Sequence, residues 1–304
     1  MKLSIIGGAG TLGASAGFFV AQKNLVDEVC LIDIKENVAK SHELDMEQAL
    51  IKCSDVKVSS GSFQKLEGSD IVVISAGIPQ QKVSSRLQYL DGNLKIIKEI
   101  SDNLNTYTNN PIVITMTSPV DILNVYLNKN THIDSNRLLG YSYNDTYRFK
   151  WAIANVLDVD FNDIEAYVLG EHGETQCPIY SNIKIKGKKI NLTNENRPKI
   201  DDMVKNWWSN YQSLNSGRAS GWLSGTSIAH IVYTIVNDTD EVIPFSVIDE
   251  DGVSIGTPIQ VNKNGIKEII EIETTEEEKI NLNISKASIM EQLIYAQQLN
   301  VSVE

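Results

Sequence analysis

Along the first half of the chain, short continuous apolar runs alternate with longer stretches whose apolar positions recur every three or four residues. Lys2 to Ile6, Val29 to Ile32, Val56 with Val58, Asp70 to Ile74 and Pro111 to Met116 read as strands. After Asp70 the fourth run is entirely β-branched, the pattern of a strand covered on both faces in a parallel sheet. Between these runs, Ala14 to Gln22, Val38 to Ile51 and Leu87 to Leu104 read as helices. Such alternation predicts an α/β fold with a doubly wound parallel sheet, whose ligands bind beyond the carboxyl ends of the strands. After the fifth run, Ser118 reads as a helix N-cap and Pro119 as the first helical residue.

From about Asn144 the pattern changes. Asp145 to Val156 reads as a helix and Ile164 to Leu169 as a strand. Ile179 to Ile190 reads as a hairpin around Lys186-Gly187-Lys188. Pro198 to Tyr211 and Leu223 to Asn237 read as helices. Val242 to Ile248, Gly256 to Val261 and Gly265 to Ile272 read as antiparallel strands, and Glu276 to Leu299 as a last helix with an acidic first turn. Strands and helices in blocks predict an α+β second domain. The expected division is residues 1–143 and 144–304, with a site in the cleft between them.

The loop after the first strand gives the first half a chemistry. Gly8, Gly10 and Gly13 form G-x-G-x-x-G between a strand and a helix, the dinucleotide-binding fingerprint of a Rossmann sheet. Glycines let the chain turn tightly and approach a pyrophosphate, which then faces the helix N-terminus. Asp33 ends the second strand, where a carboxylate accepts from ribose hydroxyls and repels a 2′-phosphate. That favours NAD over NADP. The bland alternative for Asp33 is a helix N-cap.

Composition narrows the partners. With 304 residues, 42% hydrophobic and 22% charged, the chain fits a globular protein with a large core. A formal net charge of -12, with no run of Lys or Arg, argues against nucleic acid or an anionic membrane surface as a partner. Cys30, Cys53 and Cys177 are scattered and make neither a metal pattern nor a disulfide framework, which points to a reducing cytoplasm. No apolar run is long enough for a membrane span, and no signal peptide is expected. His42, His132 and His230 have no metal-ligand spacing, so no metal is expected.

Gly170-Glu171-His172-Gly173 places a histidine between glycines, directly after a strand. Histidine suits proton transfer near neutral pH, and the glycines let a ligand come close. By itself the stretch is as well read as an ordinary turn. Arginine is scarce, and lysine does the routine surface work, so each arginine is a candidate for bidentate carboxylate binding. Arg86 follows a polar loop, Gln80 to Ser85, and Arg148 stands three residues after Asp145. Read singly, Asp145 and Arg148 are a helix-surface pair and Arg86 a solvated charge. Trp207 and Trp208 fit either core or a subunit interface.

Taken together, these segments resemble the NAD-dependent L-lactate and L-malate dehydrogenases. The likeness rests on the glycine fingerprint with Asp33, Ala76-Gly77-Ile78-Pro79 with Arg86, Ser118-Pro119-Val120-Asp121, Asp145-Thr146-Tyr147-Arg148 and Gly170-Glu171-His172-Gly173. It implies that His172 exchanges the proton of the substrate oxygen, that Asp145 orients His172, that Arg148 takes the substrate carboxylate, and that Arg86 polarises the reacting oxygen from a closing loop. Gly8, Gly10, Gly13, Asp33, Ala76, Gly77 and Ser118 would hold NAD. It also implies a homodimer or homotetramer. Six residues before the loop arginine, malate enzymes carry arginine, whereas this chain has Gln80. A neutral amide suits the methyl of pyruvate and leaves a second carboxylate unpaired, which is costly when buried. Ser220 stands where lactate enzymes often carry threonine. The expected activity is therefore oxidoreduction of lactate and pyruvate, with malate and oxaloacetate as the alternative. Ser118 replaces the family's asparagine, the segment before Asp145 is one residue short, and the loop before Arg86 lacks its usual glycine and proline. These departures motivate a second alternative, an NAD-binding protein with little catalysis.

Overall fold

The structure, a computed structural model, describes residues 1–78 and 89–299. Gln80 and Arg86, and the start of the helix expected from Leu87, lie outside the described residues. In the first half β1 (Lys2–Ile6), α1 (Thr11–Gln22), β2 (Glu28–Ile32), α2 (Glu36–Leu50), β3 (Lys57–Gly61), β4 (Ile71–Ile74), α3 (Leu90–Tyr107), β5 (Ile112–Thr115), α4 (Val120–Asn130) and β6 (Leu138–Gly140) follow one another. The six strands are parallel in the order β3-β2-β1-β4-β5-β6, with Leu3 beside Ile71 and Ile71 beside Ile112. Their apolar runs are buried on both faces because helices cover both.

The second half holds α5 (Tyr143–Leu157), β7 (Ile164–Glu165), β8 (Val168–Leu169), β9 (Cys177–Pro178), β10 (Lys184–Ile185), β11 (Lys188–Lys189), α6 (Asn196–Lys205), α7 (Trp207–Ser213), α8 (Gly221–Asn237), β12 (Ile243–Ile248), β13 (Ser254–Asn262), β14 (Gly265–Ile269) and α9 (Glu276–Gln298). The antiparallel strands β12 to β14 do not form a sheet of their own. Ser246 of β12 pairs with Gly140 of β6, so they extend the parallel sheet to nine strands among the described residues. This shared sheet brings α4, β6 and β12 together under the His172 turn.

One packing contact sets the cleft. α8 lies on α1, and a Cβ on Gly225 would stand 2.8 Å from Ser15 and Phe19, one on Gly221 2.7 Å from Thr11. Two glycines one turn apart thus bring the start of α8, with Ser220 and Ser224, beside the glycine loop.

Several expectations change in detail. Ser118 is not an N-cap: α4 begins at Val120, Pro119 is its extended cap residue, and the Ser118–Pro119 peptide is cis. The helix therefore starts one residue later than the serine pattern predicts. The helix expected from Pro198 to Tyr211 is two, broken at Asn206, whose side chain bonds Asp202 at 2.7 Å. The strand expected from Ile164 to Leu169 divides between two small sheets. The hairpin around Gly187 is shorter than expected, with Lys186 and Gly187 both at positive φ in its turn. The acidic opening of α9 stands as expected, with a capping box between Thr275 and Glu278.

Candidate active site

The glycine loop is built as a cradle. Gly7 has φ +92°, and a Cβ there would stand 2.4 Å from the Ala76 backbone nitrogen. A Cβ on Gly13 would stand 2.4 Å from the Gly7 carbonyl oxygen. Gly10 differs: its nearest neighbour would be 3.3 Å away, and it lines the cavity described below, so the space a side chain would take is left to a ligand. Asp33 directly follows β2 and is no N-cap, since α2 begins at Glu36 after Lys35. One of its oxygens accepts the Ala9 N–H at 3.0 Å and the other the Lys35 N–H at 2.9 Å. This fixes the carboxylate at the loop with lone pairs to spare for ribose hydroxyls. The residues fit a dinucleotide.

Across the cleft, Asp145 serves two partners. Its Oδ2 lies 2.5 Å from His172 Nδ1, and its Oδ1 accepts from Arg148 Nη1 at 3.2 Å. The side chains of Asp145, His172 and Arg148 keep only 7%, 11% and 12% of their exposure. That excludes the helix-surface reading of the Asp145–Arg148 pair, because a surface pair is solvated. Asp145 and Arg148 sit one turn apart near the start of α5, facing the loop after β8 that carries His172. One carboxylate thereby fixes both an imidazole and a guanidinium.

The His172 turn is anchored from below. The His172 N–H donates to Asp121 Oδ2 at 2.9 Å. Asp121 is buried in α4, and the Ser246 hydroxyl of β12 donates to its other oxygen. Burial pushes the Asp121 carboxyl up to about 6, against the lowering effect of its hydrogen bonds with Ser246 and the nearby His172. Glu171, also buried, accepts from Gln292 at 2.6 Å and from Ser288 at 3.3 Å, so α9 grips the other side of the turn.

A cavity of about 280 Å³ joins the two halves. Among the expected site residues, Gly10, Gly13, Gly77, Ser118, Arg148, His172 and Ser220 line it. Asp145 lies behind His172, while Gly8, Ala76 and Asp33 support the loops rather than the lining. Gln80 and Arg86 lie outside the described residues. The lining also includes residues with no role in the sequence reading. Asn93 of α3 donates to the Ser118 carbonyl at 2.7 Å and accepts the Ile78 N–H at 2.8 Å, clamping two strand-end loops together. Tyr141, Asn144 and Ser224 form a polar wall in which the Tyr141 hydroxyl donates to Asn144, and Asn144 to Ser224 at 3.3 Å. Burial pushes the Tyr141 hydroxyl above its ordinary range, so it stays protonated. Asp121 could have been noticed from its place in Ser118-Pro119-Val120-Asp121; Asn93, one polar residue among many in α3, gave no signal. Among the described residues there is no group of three or more His, Cys, Asp or Glu able to hold a metal ion, and no helix is long and apolar enough to cross a membrane.

Comparison with known proteins gives the family. Residues 1–140 match the lactate/malate dehydrogenase NAD binding domain, and residues 144–297 the alpha/beta C-terminal domain of the same family. A malate dehydrogenase of Halobacterium salinarum is 32% identical over 286 residues, covering 91% of this chain and 93% of its own. An L-lactate dehydrogenase of Enterococcus faecalis is 32% identical over 299 residues, covering 94% and 91%. Among solved structures, a Cryptosporidium parvum malate dehydrogenase superposes with a TM-score of 0.91 at 26% identity, over 98% of this chain and 99% of that one. A lactate dehydrogenase of the same organism, complexed with lactic acid and nicotinamide adenine dinucleotide, superposes with a TM-score of 0.90 at 26% identity, over 97% and 98%. The two activities are equally near, but the family is common to all of them: this chain belongs to the lactate/malate dehydrogenases and is an NAD-dependent enzyme of that type.

Proposed function

We propose that the chain interconverts L-lactate and pyruvate, with residues 1–143 carrying the cofactor and residues 144–304 the substrate side chains. The observation that carries the chemistry is the sharing of Asp145 between His172 and Arg148 in one cavity. Arg148 takes the substrate carboxylate bidentately, which sets the keto carbon at a fixed distance from the imidazole. With Nδ1 engaged by Asp145, proton transfer falls to Nε2 of His172. In the direction of pyruvate reduction, Nε2 gives its proton to the keto oxygen, and the Asp145 carboxylate stabilises the imidazolium that precedes that step. The bound cofactor supplies the hydride. Ser118 offers a hydroxyl to the substrate oxygen, and Arg86 adds positive charge there. Gly8, Gly10 and Gly13 admit the pyrophosphate, Ala76 and Gly77 border it, and Asp33 takes the ribose hydroxyls.

Gln80 supports lactate over malate, because an amide cannot neutralise the second carboxylate of oxaloacetate. Ser220, small and hydroxylated in the lining, leaves room for a methyl group. A homodimer or homotetramer in the cytoplasm is the assembly that fits the family. The test is NADH oxidation with pyruvate by the purified protein and by His172→Ala. Turnover that falls at least about 1,000-fold in the variant supports the mechanism. Equal rates with pyruvate and with oxaloacetate alike would leave a dinucleotide-binding protein without this catalysis.

A further inference from the structure

Two adjacent tryptophans open α7, and the structure separates their tasks. Trp207 lies against Arg148, with its ring centroid 3.9 Å from the guanidinium carbon. Trp208 lines the cavity that holds Arg148 and His172. Tyr211, one turn further along, stacks on both: its centroid is 5.1 Å from Trp207 and 6.4 Å from Trp208, with 13° between planes in each case. Away from the cavity, Trp207 joins Tyr147, Trp151, Phe161 and Leu223 in an aromatic-walled cleft of about 260 Å³ that also touches Arg148. The guanidinium therefore has an aromatic platform beneath it.

A guanidinium has one useful orientation toward a carboxylate, in which both planes coincide. The Asp145 contact, an Nη1–Oδ1 bond at 3.2 Å, holds one edge of the group. A flat ring 3.9 Å from the guanidinium carbon restrains how the group tilts. Stacking uses the face of the group, whereas hydrogen bonds to a carboxylate run in its plane, so the two do not compete. We propose that Trp207 is a positioning residue, which sets the plane of Arg148 for bidentate capture of the substrate carboxylate. The inference rests on the reading of Arg148 as the carboxylate anchor. Because the carboxylate is held alike before and during hydride transfer, the effect falls on KM rather than on kcat.

The experiment measures KM and kcat for Trp207→Ala, Trp207→Phe, Arg148→Lys and the Trp207→Ala/Arg148→Lys pair, using whichever of pyruvate and oxaloacetate is turned over faster. Trp207→Ala is expected to raise KM about tenfold with kcat within about twofold, since an unrestrained side chain must be ordered on binding. Trp207→Phe, which keeps a ring beneath the fork, recovers most of that rise. On the Arg148→Lys background Trp207→Ala adds nothing, because an ammonium has no plane to orient. If Trp207→Ala does not fold, Trp207→Leu takes its place with the same expectations. A fall in kcat at unchanged KM, full additivity in the pair, or no recovery in Trp207→Phe overturns the proposal. If Arg148→Lys itself leaves KM unchanged, the anchor reading fails and this inference falls with it. If Arg148→Lys raises KM and Trp207→Ala does not, only the inference fails.

Discussion

The Asp121 carboxylate, buried beneath the turn that carries His172, accepts the backbone N–H of His172 at 2.9 Å. His172 is thus held by two carboxylates, one on its ring and one on its main chain.

Asp121 has a folded-state value pushed up to about 6 by burial, above its ordinary 3.8. A raised carboxyl holds a proton in the folded state that the unfolded chain has already released. Its contribution to stability is therefore full below about pH 4 and is lost as pH rises through about 6. Asp121→Asn keeps an acceptor and carries no titration. Urea unfolding of the two proteins at pH 4 and pH 7 should show the wild type losing about 1–3 kcal/mol relative to the variant on going to the higher pH. A difference that does not change with pH would contradict the burial account.

Asp145→Asn should damage two functions at once. The amide cannot stabilise an imidazolium, so kcat should fall by about 100- to 10,000-fold. It also weakens the hold on Arg148, so KM should rise. His172→Asn should lower kcat with much less effect on KM. Steady-state kinetics on the two variants separates them; identical KM values would mean that Asp145 does not support Arg148.

Which residues would gather at the candidate site was legible from residue type and order. Gly8, Gly10 and Gly13 stand between strand and helix as the pattern requires, and Asp145, Arg148 and His172 meet where the family likeness expects. What escaped the sequence depends on contacts between distant segments. Asp121 reaches His172 across 51 residues, and Asn93 reaches Ser118 across 25. The motif that holds Asp121 names no partner for it, and nothing local marks Asn93. The joining of β12 to β6 was equally invisible, since alternation within β12 tells its faces and not its neighbour. Ser118 misled because serine before proline is a good helix start, while here the main chain stays extended through Pro119.

Gly13→Ala should cost about 1–3 kcal/mol and weaken NADH binding, because the added methyl would stand 2.4 Å from the Gly7 carbonyl oxygen, which cannot move without disturbing the cradle. Gly68→Ala is the contrasting control. Nothing lies within 4 Å of a Cβ there, and its φ of +73° strains the backbone far from the cofactor loop, so NADH titration should be unaffected. Equal NADH affinity in Gly13→Ala and wild type would count against the cradle.

Ser118→Asn restores the longer donor that the family carries at this place in the cavity wall. Its backbone carbonyl already accepts from Asn93, so the loop needs no rebuilding. We expect kcat to rise, by up to about tenfold for one better-placed donor on the reacting oxygen. An unchanged or lower kcat would mean that serine suffices here.

The substrate assignment rests on Gln80, and one comparison tests it most directly. It is the ratio of kcat/KM on pyruvate to kcat/KM on oxaloacetate, for the wild type and for Gln80→Arg. A wild-type ratio well above one is expected, with a swing toward oxaloacetate of about 100-fold or more in the variant, the scale of pairing one buried carboxylate. A wild type that prefers oxaloacetate, with a ratio that Gln80→Arg leaves unmoved, would contradict it.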